Sequence, residues 1–399
     1  FEYLRTSVEH RPATLEGLQP LYQAVAHGCL AGLHQLACTE VYIDRILRGT
    51  DHGGFYSTKL LGAVGADLGA MAYFFDSPWH HPSSMFSLGA QGWLLNVAAF
   101  SLQALGRLQE ALEAMRAGLA IYVAAELWTQ VAIAAGNLSQ LTLALGEVSE
   151  ALAVGERAAN YADRSDDEFQ RIVKRVALAD ALHQGGRPDE AAAEFRAAEA
   201  IQAEWEPDHP LLYSVQGYRY CDLLLATPEC AAWRRVMGAA RNVDRTAVTA
   251  CQRVSERGSE MFDWRDPEDA LLSIALEHLS LGRAALYRVA LDDSAPDRAT
   301  ARAHLDAAVD GLRRAGTQHE LPRSFLSRAL QRALDGQLTG PNSAQEDLDE
   351  AWDIAEQGPM RLYMADVHLH RARLFGSAST YPWDTPAADL RAARVLIEQ

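Results

Sequence analysis

The chain repeats one short segment three times: Leu105-Gly106-Arg107-Leu108-Gln109-Glu110-Ala111, Leu145-Gly146-Glu147-Val148-Ser149-Glu150-Ala151 and Gly185-Gly186-Arg187-Pro188-Asp189-Glu190-Ala191. The glycines at 106, 146 and 186 are 40 residues apart both times. A glycine after a helix can adopt the left-handed conformation that terminates it, and a small alanine early in the next helix lets two helices approach closely. Another small residue follows each alanine after seven positions, at Gly118, Ala158 and Ala198. The pattern predicts repeated antiparallel helical hairpins.

Outside residues 90–205, where the repeat is clearest, helical segments and breaks continue to alternate less regularly. We predict a helix pair, 14–27 and 30–47, that turns around Gly28. Further helices are predicted at 57–74, 266–291, 298–314, 323–334, 343–357 and 360–375. The sequence therefore predicts an all-α fold, a right-handed solenoid of about seven or eight stacked hairpins over 1–399. A subdivision is predicted near 226–262, where one long amphipathic helix from Glu229 to Glu260 replaces two short helices.

The repeated segment resembles the tetratricopeptide repeat, whose usual period is nearer 34 residues. A period of 40 gives each unit six extra residues, which implies longer helices or longer loops. The resemblance implies a concave surface that binds protein or peptide partners, although the longer unit departs from the standard peptide-binding groove.

Charge and cysteine usage exclude several classes of function. The chain has 36 Lys+Arg against 53 Asp+Glu, a formal net charge of -17, which argues against nucleic-acid and anionic-membrane partners. No apolar run reaches the roughly 18–20 residues that a membrane span needs. The five cysteines show no CxxC spacing, so we expect no disulfide framework, no metal site and a cytoplasmic location. No cofactor is predicted.

Several longer segments resemble the C-terminal sensor arrays of bacterial STAND signal-transduction ATPases. They are Phe74-Phe75-Asp76-Ser77-Pro78-Trp79, Leu178-Ala179-Asp180-Ala181-Leu182-His183-Gln184, the segment from Tyr213 to Leu225, Glu320-Leu321-Pro322-Arg323 and Gly358-Pro359-Met360-Arg361-Leu362. The resemblance implies a sensor of a defence or signalling system, such as antiphage defence, preceded by effector and nucleotide-binding domains. No GxxxxGK[ST] phosphate loop occurs in this sequence, and the chain begins with Phe1, so we expect a fragment containing the sensor alone.

The segment from Tyr213 to Leu225 is unusually polar and aromatic for a solenoid helix. Tyr213, Gly217 and Tyr220 have the spacing i, i+4, i+7 of one helix face, with Arg219 and Asp222 beside them. A glycine between two tyrosines would leave a slot for a flat or peptidic ligand. In the alternative interpretation, the aromatic rings pack against the next helix and Arg219 pairs with Asp222.

Arginines gather around Gly316, in the segment from Arg313 to Arg323, and Arg328 follows. Because the guanidinium fork suits carboxylate and phosphate groups, Arg323 and Arg328 are candidates for holding an anion or an acidic partner segment. The alternative is that these arginines pair with carboxylates of the next hairpin, namely Asp347, Asp349 and Glu350.

Two histidines are further candidates for partner binding. His370 shares a face with Asp366 and Arg373, but two ligands beside an arginine are too few for a metal, so a structural Asp–His–Arg network is expected there. His278 follows Glu277 directly, and His183 follows Asp180 by three residues. Each is expected to be a satisfied histidine of the core or groove and not an acid–base catalyst.

The connection from Phe75 to Pro82 carries Trp79, His80 and His81. Its rings either plug the end of a hairpin or form an exposed interaction patch.

The sequence thus predicts a sensor module whose concave surface captures a protein or peptide trigger. The predicted contact residues are Tyr213, Arg219, Tyr220, His278, Arg323, Arg328 and His370. A general interaction scaffold without a switching role is the alternative. A third interpretation, an enzyme using a pocket around Tyr213, Arg219 and His278, has no Ser-His-Asp order, paired carboxylates or metal-ligand motif behind it, so no catalytic residue is predicted. The isolated chain is expected to be a monomer.

Overall fold

The computed structural model describes residues 1–50, 53–164, 167–266, 269–292 and 297–398. These residues are almost entirely helical, and helices that follow one another in sequence pack against one another. The all-α prediction is therefore confirmed, together with the stacking of antiparallel helices into an array. Within the described ranges, no helix is both long enough and apolar enough to cross a bilayer.

The N-terminal region is less regular than the rest of the array. Its elements are α1 (Glu2–Thr6), α2 (Leu15–Leu30), α3 (His34–Leu36) continuing into a π-helix (Ala37–Leu47), α4 (Tyr56–Lys59), α5 (Val64–Met71) and a 3-10 turn (Ala72–Phe74).

The predicted hairpin turn at Gly28 is wrong, because Gly28 lies inside α2 and the chain turns at Gly32, whose φ is 77°. A Cβ on Gly28 would lie 2.9 Å from both the Ala37 Cβ and the Phe1 ring, so this glycine permits close packing within the helix. The predicted helix 57–74 is interrupted before α5, where Gly62 adopts a left-handed φ of 62°.

A small hairpin follows, formed by β1 (Phe75–Ser77) and β2 (His81–Pro82), which pair antiparallel. The rings of Phe75 and Trp79 pack edge to face with centroids 5.4 Å apart, and each side chain is at most 8% exposed. The plug interpretation of this connection is confirmed for these two rings. His80 and His81 remain on the surface.

Three regular hairpins occupy the region of the repeat. They are formed by α6 (Leu88–Ala104) with α7 (Leu108–Ala124), α8 (Trp128–Ala144) with α9 (Val148–Ala162), and α10 (Glu168–Gln184) with α11 (Pro188–Trp205). Gly106, Gly146 and Gly186 have φ values of 76°, 82° and 72°. The residue after each glycine donates its backbone N–H to the carbonyl five residues earlier, at 2.8–2.9 Å, which is the Schellman closure of a helix end. The predicted glycine turns are confirmed.

The remaining helices continue the array. They are α12 (Ser214–Val236), α13 (Arg245–Asp263), α14 (Leu271–Leu291), α15 (Arg298–Ala315), α16 (Leu321–Leu334) after a 3-10 turn (Gln318–Glu320), α17 (Ala344–Gln357), α18 (Arg361–Phe375) and α19 (Pro386–Glu398). The single long helix predicted from Glu229 to Glu260 is wrong. The chain turns at Gly238, whose φ is 71°, and the Asp244 carboxylate caps α13 by accepting a hydrogen bond from the Ala247 N–H at 3.0 Å.

The array folds back so that its last hairpins contact the glycine turns of its first regular hairpins. A Cβ on Gly106 would lie 3.5 Å from the Gln318 Cβ, and the Arg361 Nε donates to the Leu145 carbonyl at 3.0 Å. Ala355 and Met360 belong to the same apolar core as residues of α6 and α7. The turns after α6 and α8 are therefore covered by the C-terminal half of the chain.

A comparison of two glycine substitutions tests this closure. An alanine at Gly186 meets no atom within 4 Å, so Gly186→Ala is expected to cost about 1–2 kcal/mol from the left-handed backbone alone. An alanine at Gly146 would also lie 2.9 Å from the Arg361 Cβ, so Gly146→Ala should cost at least about 1 kcal/mol more. Urea denaturation of both variants measures the difference. Equal losses would show that the contact with Arg361 contributes nothing.

Candidate functional site

The first helices of consecutive hairpins, α10, α12, α14, α16 and α18, lie next to one another along the inside of the array. They bring together charged side chains that are far apart in sequence. We call this group the inner network; its members are Asp180, Arg219, Asp222, Glu229, Arg283, Glu320 and Arg323.

Arg283 lies at the centre of the inner network and is 1% exposed. Its guanidinium donates to the Asp222 carboxylate at 2.5 Å and to the Glu229 carboxylate at 3.0 Å. The Nε donates to the Tyr287 hydroxyl at 3.2 Å. Asp222 also lies 3.8 Å from Arg323, so α12, α14 and α16 are joined through one carboxylate.

Arg219 joins a different pair of elements. Its Nη2 donates to Glu320 at 2.7 Å, and its Nε lies 3.4 Å from Asp180. The internal pairing that was expected for Arg219 therefore exists, but the partner is not Asp222. Asp180 and Glu320 each keep one buried carboxylate oxygen without a hydrogen-bond partner among the described residues.

Burial and neighbouring charge set the protonation of the carboxyls. Burial alone would raise the pKa of Asp222, but Arg323, Arg283 and His183 outweigh it and hold this pKa well below 3.8. The pKa of Glu229 is lowered in the same way, because Arg283 and Arg323 outweigh its burial. Burial raises the pKa of Asp180, and it raises that of Asp366 on α18 to about 6.

The side chains of Arg219 and Arg323 are 20% and 16% exposed. Burial alone would lower the pKa of each guanidinium, but Glu320 and Asp180 outweigh it at Arg219, and Asp222 is the main carboxylate that raises the pKa at Arg323, so both pKa values lie above the ordinary one. Their guanidiniums are engaged by carboxylates of this chain, so no open groove presents them to a partner in this arrangement.

The two candidate tyrosines do not flank a slot. Tyr213 precedes α12 and donates to Glu206 at 3.2 Å, whereas the Tyr220 ring stacks on Phe195 at 4.8 Å. A Cβ on Gly217 would lie 2.5 Å from the Leu212 carbonyl oxygen and 2.8 Å from the Met261 sulfur. The space beside the glycine is filled by the fold, as the packing alternative predicted.

Arg328 is held by carboxylates of adjacent helices. It donates to Asp347 at 2.8 Å and to Asp306 at 3.3 Å. Arg313 pairs with Glu350, and Arg371 pairs with Asp349. Arg328 and Arg313 therefore pair with carboxylates of the next hairpin, as the alternative interpretation predicted. The arginines around Gly316 do not form a free basic cluster.

The two candidate histidines lie apart from each other. The His370 Nδ1 donates to the Asp366 backbone carbonyl at 2.8 Å, and the imidazole ring meets Trp233 edge to face. Burial lowers the pKa of His370 to about 4. The Nδ1 atoms of His278 and His304 are 2.8 Å apart, and burial lowers the pKa of His278 to about 4.

Sequence reasoning missed Arg283 and Glu229 as members of the network. A buried charge at Arg283 could have been predicted, because this arginine stands alone among apolar residues. The segment is Leu281-Gly282-Arg283-Ala284-Ala285-Leu286. Among the described residues, no group of three or more His, Cys, Asp or Glu side chains is arranged to hold a metal ion. Neither a known protein-family model nor a curated protein sequence matches this chain.

Proposed function

We propose that this chain is a recognition module that binds a polypeptide partner and performs no catalysis. The regular stack of helical hairpins carries this proposal, because such arrays expose long, continuous rows of side chains suited to extended or helical segments. The three consecutive 40-residue units from α6 to α11 supply the most regular of these rows.

A sensor role follows from the resemblance to the STAND arrays. In that role the module lies in the bacterial cytoplasm, forms a right-handed superhelix and regulates nucleotide-binding and effector domains of the same protein in a defence or signalling system. The inner network supports it physically, because ion pairs join four helices of different hairpins, α10, α12, α14 and α16, and a shift of one hairpin must rearrange the others. A scaffold without a switch is the second candidate.

Selection of peptides from a random display library on the purified chain tests the proposal. We expect individual peptides that bind in a 1:1 ratio with dissociation constants of about 1 μM or lower, measured by calorimetry. A library that yields no saturable binder would reject polypeptide recognition.

Hydrogen exchange then separates a sensor from a scaffold. A sensor should show changed protection in α12, α14 and α16 when the peptide binds elsewhere on the array. A scaffold should show changes confined to the helices that contact the peptide.

A further inference from the structure

One edge of the array carries an aromatic pair in each of three consecutive hairpins. We call it the aromatic edge; its members are Trp128, Tyr161, Phe169, Trp205, Tyr213 and Trp264. Each pair joins the start of the first helix of a hairpin to the end of its second helix, with ring centroids 6.2–6.3 Å apart. The repetition follows from the fold, because antiparallel hairpins place these helix ends on the same side.

Three of the six rings of the aromatic edge are exposed, and the other three are half-buried. Trp128 is 53% exposed, Trp205 is 47% exposed and Tyr213 is 38% exposed. Tyrosine and tryptophan are enriched at binding interfaces, and a row of exposed rings on one edge marks a candidate binding surface. The opposite edge, which contains the glycine turns after α6 and α8, is covered by residues of the C-terminal half such as Gln318 and Arg361.

The charge around these rings is negative. Exposed carboxylates at the same helix ends that have no ion pair among the described residues are Glu126, Glu204, Asp208 and Asp263. Arg164 is an exposed cation at this edge, whereas Arg171 is engaged by Glu168. The chain already places one guanidinium on a ring here, because Arg265 lies 3.3 Å from the centroid of Phe262. Tryptophan and tyrosine faces attract cations, and nearby carboxylates strengthen that attraction.

We propose that the aromatic edge binds an arginine- and lysine-bearing polypeptide segment, with cationic side chains stacked on the rings and paired with the adjacent carboxylates. The proposal names the partner chemistry and the surface for the recognition function, and it rests on that function. Neighbouring hairpins lie about 10 Å apart, so the three pairs extend over about 20 Å, which about six residues of an extended chain cover. The segment is thus short and linear.

Fluorescence anisotropy with two labelled ten-residue probes tests this surface. One probe alternates arginine with serine, and the other has glutamate in place of each arginine. We expect the arginine probe to bind at least tenfold more tightly. Trp128→Ala combined with Trp205→Ala should weaken its binding by about tenfold or more, since aromatic side chains at the centre of an interface contribute much of the binding free energy. Phe100→Ala is the control, because it removes a ring that is 53% exposed near the C-terminal end of α6, away from the aromatic edge. This variant should leave the affinity for the arginine probe unchanged.

A second pair of variants separates a local site from the attraction of any acidic protein for a cationic peptide. Glu126→Gln, Glu204→Gln and Asp263→Asn together should weaken the arginine probe by about tenfold. The control triple removes the same number of negative charges from exposed positions elsewhere, with Glu16→Gln, Glu356→Gln and Asp310→Asn. It should change the affinity for the arginine probe less than twofold. Equal weakening by both triples, or no effect of the tryptophan variants, would overturn the proposal. Library-selected peptides that still bind the tryptophan variant would leave polypeptide recognition standing on another surface.

Discussion

Replacing Arg283 by methionine is expected to lower the free energy of unfolding by about 3–5 kcal/mol, the loss typical when one partner of a buried ion pair is removed. Methionine fills much of the same space, so the loss comes mainly from charge. Asp222, which is 5% exposed, would lose its closest guanidinium, and Glu229 would lose the guanidinium with which it pairs. Urea denaturation followed by circular dichroism measures the change.

A matched control is the same substitution at an exposed ion pair. Arg313 pairs with Glu350 at 2.6 Å, and the side chains are 46% and 38% exposed, so Arg313→Met should cost no more than about 1 kcal/mol. Adding Asp222→Asn and Glu229→Gln to Arg283→Met should restore part of the stability, because the uncompensated charges disappear. A loss for Arg283→Met no greater than that for Arg313→Met would show that the inner network is not electrostatically important.

The same network predicts a loss of stability in acid. The pKa values of Asp222 and Glu229 lie below their ordinary values of 3.8 and 4.5, so their contribution is complete above these values. It is lost as pH falls through the lower pKa values of the folded protein. Arg283→Met should therefore flatten the stability profile below about pH 4.

The hairpins could be predicted from sequence because their signals are local. Gly106, Gly146 and Gly186 end helices through hydrogen bonds that span only five residues. Their regular spacing of 40 residues makes these turns recognisable in the sequence. The turn at Gly238 was missed because no Glu-Ala pair follows it, although Asp244 is a strong capping residue. Gly28 misled the prediction, because a glycine needed for close packing looks the same in sequence as a glycine needed for a turn.

The inner network could not be predicted in the same way. Arg219 and Glu320 are 101 residues apart, and Arg361 reaches a carbonyl 216 residues away. Such contacts depend on how far the array curves back on itself, and curvature arises from small rotations between repeats that no single motif encodes. Arg219 and Arg323 were identified as unusual from their sequence context, but whether a partner binds them stays a prediction.

Replacing Lys174 by methionine is expected to stabilise the protein by about 2–3 kcal/mol at pH 7. Lys174 lies on α10 and is 2% exposed, and its side chain runs over Gly136 of α8. The structure records no hydrogen bond or ion pair for its ammonium within the described residues. Burial lowers the pKa of Lys174 from 10.5 to about 8, with a smaller opposing contribution from Asp167. At 1.36 kcal/mol per unit, the difference between 10.5 and 8 corresponds to about 3 kcal/mol of unfavourable charge burial.

The pH dependence fixes the origin of this gain. The folded pKa lies below the unfolded one, so the penalty is complete below about pH 8 and disappears as pH rises towards 10.5, where the unfolded chain also loses its proton. The advantage of Lys174→Met should shrink over this range. Because Lys59 and Lys174 are the two lysines of the sequence, selective ¹³Cε-lysine labelling resolves the Lys174 pKa directly by NMR. A titration near 10.5, or a pH-independent gain from Lys174→Met, would assign the effect to packing and not to a buried charge.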